Sequence, residues 1–86
     1  MVVRKHRRFD FYLPDITNNE IRCLLSQVSD KAELLWYGFS LWRLVNSCFF
    51  HNICLADSTD KYYCELVVRV DQFSDMLYIT YKETEK

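Results

Sequence analysis

Between Asp30 and Phe50 the positions Leu34, Leu35, Gly38, Leu41, Trp42, Val45, Cys48 and Phe49 recur at spacings of three and four. At about 100° per residue they fall on one stripe, which predicts a single long amphipathic helix. Asp30 reads as its N-cap, with Glu33 three residues on completing a capping-box pattern. A helix of that length spans roughly 30 Å, enough to cross a small domain. Trp36, Phe39 and Phe50 lie off the stripe, with Arg43 among them. Either a second element covers these rings or they form a partner-binding surface, since clustered exposed aromatics around an arginine make interface anchors.

Elsewhere the period changes to two. From Arg7 to Leu13, Phe9, Phe11 and Leu13 alternate with Arg8, Asp10 and Tyr12, which predicts a half-buried strand ended by Pro14. Thr17 and Glu20 form a capping box, and Ile16 and Ile21 occupy the positions of a hydrophobic staple. Ile21, Leu24, Leu25 and Val28 then predict a short helix ending near Gln27 to Ser29. Its junction with the long helix at Ser29–Asp30 leaves only a sharp break or a kinked continuation. Strands follow at Ile53–Asp57, Lys61–Val70 and Leu77–Lys82, separated by turns at Ser58–Asp60 and Asp71–Asp75.

The last hairpin permits a register argument, because a slip of one residue would turn a whole apolar face outward. Val70 is expected opposite Leu77, Val68 opposite Ile79 and Leu66 opposite Tyr81, which sets Glu65 against Lys82 and Arg69 against Tyr78. The predicted fold is α+β, a two-layer domain of order β-α-α-β-β-β with the long central helix packed on an antiparallel sheet.

Eighty-six residues, half of them apolar, suit one small domain. Residues 1–6 are a candidate flexible basic arm or the start of an edge strand, and residues 83–86 a loose C-terminus. Arg4, Lys5, Arg7 and Arg8 concentrate positive charge at the start; removing those four leaves seven cations against twelve acids, a net of −5. A basic strand on an acidic body disfavours a broad nucleic-acid-binding face. The charged first residues do not read as a signal peptide, and the four cysteines then read as reduced thiols of a cytoplasmic, intracellular protein. A membrane span from Leu34 to Ala56 is disfavoured by Arg43 at its centre, with Asn46, His51 and Asn52 nearby.

Cys48, His51, Cys54 and Cys64 include the ligand types of a tetrahedral zinc site. A three-residue turn at Ser58–Asp60 would set Cys54 across from Cys64, close enough for a shared metal or a cross-strand disulfide. The favoured reading is packed apolar thiols, with no metal and no cofactor. No acid/base pair or activated nucleophile stands out, so no enzymatic activity is expected. The preferred function is a non-enzymatic adaptor or inhibitor that binds another protein, or a second copy of itself, through Trp36, Phe39, Arg43 and Phe50. The alternative is single-stranded nucleic-acid binding through Arg4, Lys5, Arg7 and Arg8 with Tyr63, Arg69, Tyr78 and Lys82 on the outer sheet face.

Overall fold

The computed structural model describes residues 2–37, 52–71 and 73–86. Strand β1 (Val3–Tyr12) passes through a 3-10 turn at Leu13–Asp15 into helix α1 (Asn18–Val28). A second helix, α2, is described over residues 30–37. Strands β2 (Asn52–Ser58), β3 (Tyr62–Asp71) and β4 (Met76–Glu85) complete a four-stranded antiparallel sheet of order β1-β4-β3-β2. The chain is thus a small α+β domain with the element order β-α-α-β-β-β.

The helix starts follow from local chemistry. Pro14 sits in the first turn of the 3-10 segment, where its missing N–H costs nothing. Thr17 caps α1: its Oγ1 accepts from the Glu20 N–H at 3.3 Å and donates to Glu20 Oε1 at 3.0 Å. The Glu20 carboxylate therefore closes on the threonine hydroxyl rather than on its backbone N–H. Ser29 then serves two helices at once. Its N–H ends α1 on the Leu25 carbonyl at 3.0 Å, and its own carbonyl accepts from Glu33 at 3.3 Å. Its Oγ accepts from the Lys31 N–H at 3.2 Å, so Ser29, not Asp30, is the N-cap of α2. The extended backbone at Ser29 breaks the direction sharply. Arg22 lies 3.7 Å from Glu33 and stacks 5.0 Å from the Tyr37 ring, while Asn18 meets Trp36, so α2 runs back alongside α1.

That return rotates α2 away from the expected stripe. Trp36 is 0% exposed, and its Nε1–H donates to Asn18 Oδ1 at 2.8 Å. Ala32, one turn earlier, is equally buried, whereas Leu34 is 63% exposed. Trp36 is therefore a core residue and not a partner-binding one. An Ala–Trp pair four apart carries little weight in an apolar pattern dominated by leucines, which is why the stripe is misplaced. Residues 38–50 of the expected long helix, including Phe39, Arg43 and Phe50, lie outside the described residues.

One buried cluster joins Ile21 and Leu25 of α1, Ala32 and Trp36 of α2, Phe11 of β1, and Leu66, Val68, Leu77, Ile79 and Tyr81 of the β3–β4 hairpin. The hairpin register is the expected one, with Val70 opposite Leu77, Val68 opposite Ile79, Leu66 opposite Tyr81, Glu65 opposite Lys82 and Arg69 opposite Tyr78. The β2–β3 register differs. The Thr59 N–H donates to the Tyr62 carbonyl at 2.8 Å, closing a turn around Asp60 and Lys61, and Asp57 pairs with Cys64 instead of Lys61. Cys54 consequently faces Val67, three positions from Cys64. Both ends of the sheet run further than the pattern suggested. Val3 pairs with Thr84 and Lys5 with Glu83, so the chain begins as the edge strand that was the alternative to a flexible arm, and residues 83–85, expected to be loose, are paired. The Glu85 N–H bonds the Val2 carbonyl at 2.8 Å, and the Lys86 N–H bonds that of Lys61 at 2.9 Å.

Trp36→Ala is expected to cost about 3–5 kcal/mol, the range for truncating a buried aromatic. In a domain this small that removes most of the stability. Urea unfolding followed by circular dichroism measures it; a loss under about 1 kcal/mol would place the ring at the surface after all.

Candidate functional site

Strand alternation sends even-numbered residues of β1, β2 and β4, and odd-numbered residues of β3, to the sheet face opposite the core. The registers stack these into cross-strand rows: His6, Lys82, Glu65 and Ala56; then Arg8, Thr80, Val67 and Cys54; then Asp10, Tyr78 and Arg69. No described helix covers this face, and His6, Arg8, Asp10, Cys54, Arg69 and Lys82 are all exposed on it.

Its centre is Tyr78. The Arg69 guanidinium lies 5.2 Å from the ring centroid and that of Arg8 lies 5.7 Å from it. Together with Val67 and Thr80 these three residues line a depression of about 300 Å³ that contains no carboxylate. Arg8 Nε is also 3.3 Å from Asp10 Oδ1, on the adjacent row. Each exposed cation–π contact is worth about 0.5–1 kcal/mol, enough to orient a guanidinium plane. Arg69 presents its N–H fork for bidentate bonding to a carboxylate or phosphate, while Arg8 already gives its Nε–H to Asp10 and offers its terminal N–H groups.

Of the residues proposed for nucleic acid, Arg8, Arg69 and Tyr78 do come together here, and Lys82 shares the face two rows away, opposite Glu65. Tyr63 shares the face but lies six residues from Arg69 along β3, about 20 Å at 3.3 Å per residue, so Tyr63 and Tyr78 do not form one stacking platform. The other three cations turn away. Arg4 stacks 4.8 Å from the Tyr62 ring and lies 3.7 Å from Glu83 Oε2. Lys5 Nζ donates to the Val28 carbonyl at 2.9 Å, capping the C-terminus of α1. Arg7 lies 5.3 Å from the Phe9 ring. Alternation, with the irregularity between Val3 and Lys5, accounts for this division.

The zinc and disulfide alternatives meet a geometric obstacle. Cys64 is buried on the core face and Cys54 is exposed on the other, so the two thiols cannot share an ion or bond to each other. Cys54 is thus not the packed core thiol that its sequence context suggested. Burial first, and then the Glu65 carboxylate beside it, push its thiol upward, away from a reactive thiolate. Cys48 and His51 lie outside the described residues, and among the described residues no cluster of three metal-ligating side chains occurs.

A buried polar cluster escaped the sequence reading. Glu83 is only 7% exposed; its Oε1 accepts from the Tyr81 hydroxyl at 2.8 Å and lies 3.9 Å from Cys64 Sγ. Desolvation pushes the Tyr81 phenol far above its ordinary value, so it remains a proton donor to that carboxylate. Glu83 continues the inward alternation of Leu77, Ile79 and Tyr81, and this parity was the available signal.

No family model, curated protein or solved structure matches the chain.

Iodoacetamide alkylation of the folded protein, mapped by mass spectrometry, is expected to modify Cys23 and Cys54 while Cys64 stays protected. At neutral pH Cys54 should react more slowly than an unstructured cysteine peptide, because its raised pKa lowers the thiolate fraction, and should accelerate as the medium becomes alkaline. Equal protection of Cys54 and Cys64 would contradict the β2–β3 register.

Proposed function

We propose that this chain is a small non-enzymatic interaction module, an adaptor or inhibitor, that docks onto another protein through the exposed face of its sheet. The observation that carries this reading is the Arg8–Tyr78–Arg69 cluster around a depression without a carboxylate. Arginine and tyrosine are the residue types on which binding energy concentrates, and paired guanidiniums complement a carboxylate offered by a partner. The burial of Trp36 takes that ring out of the proposed interface, and this reading rests on the sheet face instead. In this reading the domain is two-layered, α2 begins the long helix expected over residues 30–50, and the protein works in the cytoplasm. Among the described residues no helix is long and apolar enough to cross a membrane.

Single-stranded nucleic acid is the second reading, favoured by the shared face of Arg8, Arg69, Tyr78 and Lys82. It is weaker on two counts. The tyrosines are too far apart to stack successive bases, and Asp10 and Glu65 interrupt the positive field.

Affinity capture from the natural host, with and without nuclease, separates the two. The captured protein is expected to survive nuclease and moderate salt. Arg69→Glu and Arg8→Glu should each weaken capture by roughly 30-fold, the effect of losing about 2 kcal/mol at a hot spot, while circular dichroism stays unchanged. Nuclease-sensitive capture with a steep salt dependence would favour nucleic acid. Undiminished capture by the folded double variant would remove the sheet face from the interface.

A further inference from the structure

The open edge of β1 supports a different kind of contact. In the sheet order β1-β4-β3-β2, β1 is an edge strand, and no described strand pairs with its outer side. The Leu13 N–H donates to the Asp75 carbonyl at 2.9 Å. Bonded and non-bonded pairs alternate along an antiparallel ladder, so Phe11, Phe9 and Arg7 bond to β4 in turn. His6, Arg8, Asp10 and Tyr12 therefore direct their N–H and C=O groups outward, and unpaired groups of this kind are a template for another strand.

Beside that edge, on the core side, a cleft of about 320 Å³ opens between β1 and α1, lined by Lys5, Arg7, Phe9, Leu24, Gln27 and Val28. An added strand would drop alternate side chains into it and lay the others over His6, Arg8, Asp10 and Tyr12. The chemistry of the edge is graded. Residues 4–8 read Arg-Lys-His-Arg-Arg, while residues 9–12 carry Phe9, Phe11 and Tyr12. Among the described residues neither Lys5 nor Arg7 has a carboxylate within ion-pair distance.

We infer that β1 and the β1–α1 cleft form a peptide-binding groove that takes an extended acidic segment of a partner protein as a fifth strand. Main-chain bonds to His6, Arg8, Asp10 and Tyr12 supply affinity, and Arg7 and Arg8, the cations that the fold leaves at this edge, select acidic side chains. An antiparallel addition, the pairing used throughout this sheet, sets the acidic end of the segment at its C-terminal half and apolar residues before it. Charge complementarity decides the occupant. A second copy added antiparallel would set residues 9–12, with the one carboxylate of Asp10, against residues 4–8, whereas an acidic segment supplies several carboxylates there. Lysine- and arginine-rich edges also discourage indiscriminate pairing, so the same charges exclude most strands and admit this class. The inference rests on the chain being a protein-binding module, though not on the Tyr78 face being its interface.

The test uses the full chain and the synthetic peptide acetyl-TVTVELEE-amide, with acetyl-TVTVKLKK-amide as control. The acidic peptide is expected to slow hydrogen exchange at the amides of His6, Arg8, Asp10 and Tyr12, read by NMR, and the lysine peptide is not. Asp10→Pro removes one edge N–H, together with the Arg8–Asp10 ion pair that Asp10→Ala also removes, and should weaken binding by about tenfold or more. Asp10→Ala keeps that N–H and should bind at least as well as the parent chain. Equal binding by the proline and alanine variants, protection centred on Arg69 and Tyr78, or protection arising from self-association in the absence of peptide would each overturn the inference. Should Asp10→Pro not fold, amide protection in the parent chain decides alone. Absence of peptide binding alongside Arg69-dependent capture of a protein would sink the groove and leave the proposed function standing.

Discussion

Four elements of this domain meet at Ser29. Its N–H closes α1, its carbonyl and hydroxyl open α2, and its Oγ lies 3.4 Å from the Tyr81 hydroxyl of β4. From β1, Lys5 reaches the carbonyl of the preceding residue, Val28. A turn of a single residue allows no slack, so the direction of α2 is fixed by how Ser29 satisfies its polar groups. With α2 returning along α1, Trp36 reaches Asn18 and becomes the largest fully buried side chain among the described residues. Hydrogen bonding at one serine thus holds the geometry in which the apolar burial occurs.

The same convergence explains a buried carboxylate. Tyr81 has one phenolic proton and gives it to Glu83, which leaves the Ser29 hydroxyl to donate back to the tyrosine oxygen. Arg4 supplies the compensating charge from the edge strand. An isolated carboxylate at this depth would be costly, and the cluster offsets that cost with a donor on each side. At the opposite corner, Lys31 binds Asp57 at 2.8 Å and ties the start of α2 to β2. The Asp57 carboxyl is held below its ordinary value, chiefly by the bond from Lys31. The sheet is therefore fastened to the helices at both edges by charged groups, with the apolar cluster between them.

This fastening divides the basic strand by purpose. Arg4 and Lys5 serve the fold, which removes them from any binding surface, while Arg8 joins Arg69 around Tyr78 on the open face. Arg7 remains at the edge, beside the cleft. A contiguous run of cations in the sequence becomes three separate environments, because a strand sends successive residues to opposite faces. The binding readings follow from that partition, since each concerns only the cations that the fold leaves unengaged.

The local rules fixed much in advance. The Thr17 cap, the alternation of β1 and the β3–β4 register could be read from residue types and spacing, because each depends on neighbours close in sequence or on one apolar face that must turn inward; the junction near Ser29 was legible, but not whether it broke or kinked. The hairpin register likewise placed Arg69, Tyr78 and Lys82 on one face, and Arg8 joined them only when β1 paired with β4. Long-range packing decided the rest. Alternation cannot choose between neighbours, so the placement of β1 against β4, and with it the burial of Glu83, came only with the assembled sheet. A three-position error in the β2–β3 turn was enough to send Cys54 to the wrong face, since an odd shift inverts every side chain on a strand. Trp36 changed role for the same reason at the scale of a helix. Its periodicity described a stripe, but the angle at which that stripe faced the core was set by a one-residue turn and by Asn18, eighteen positions away.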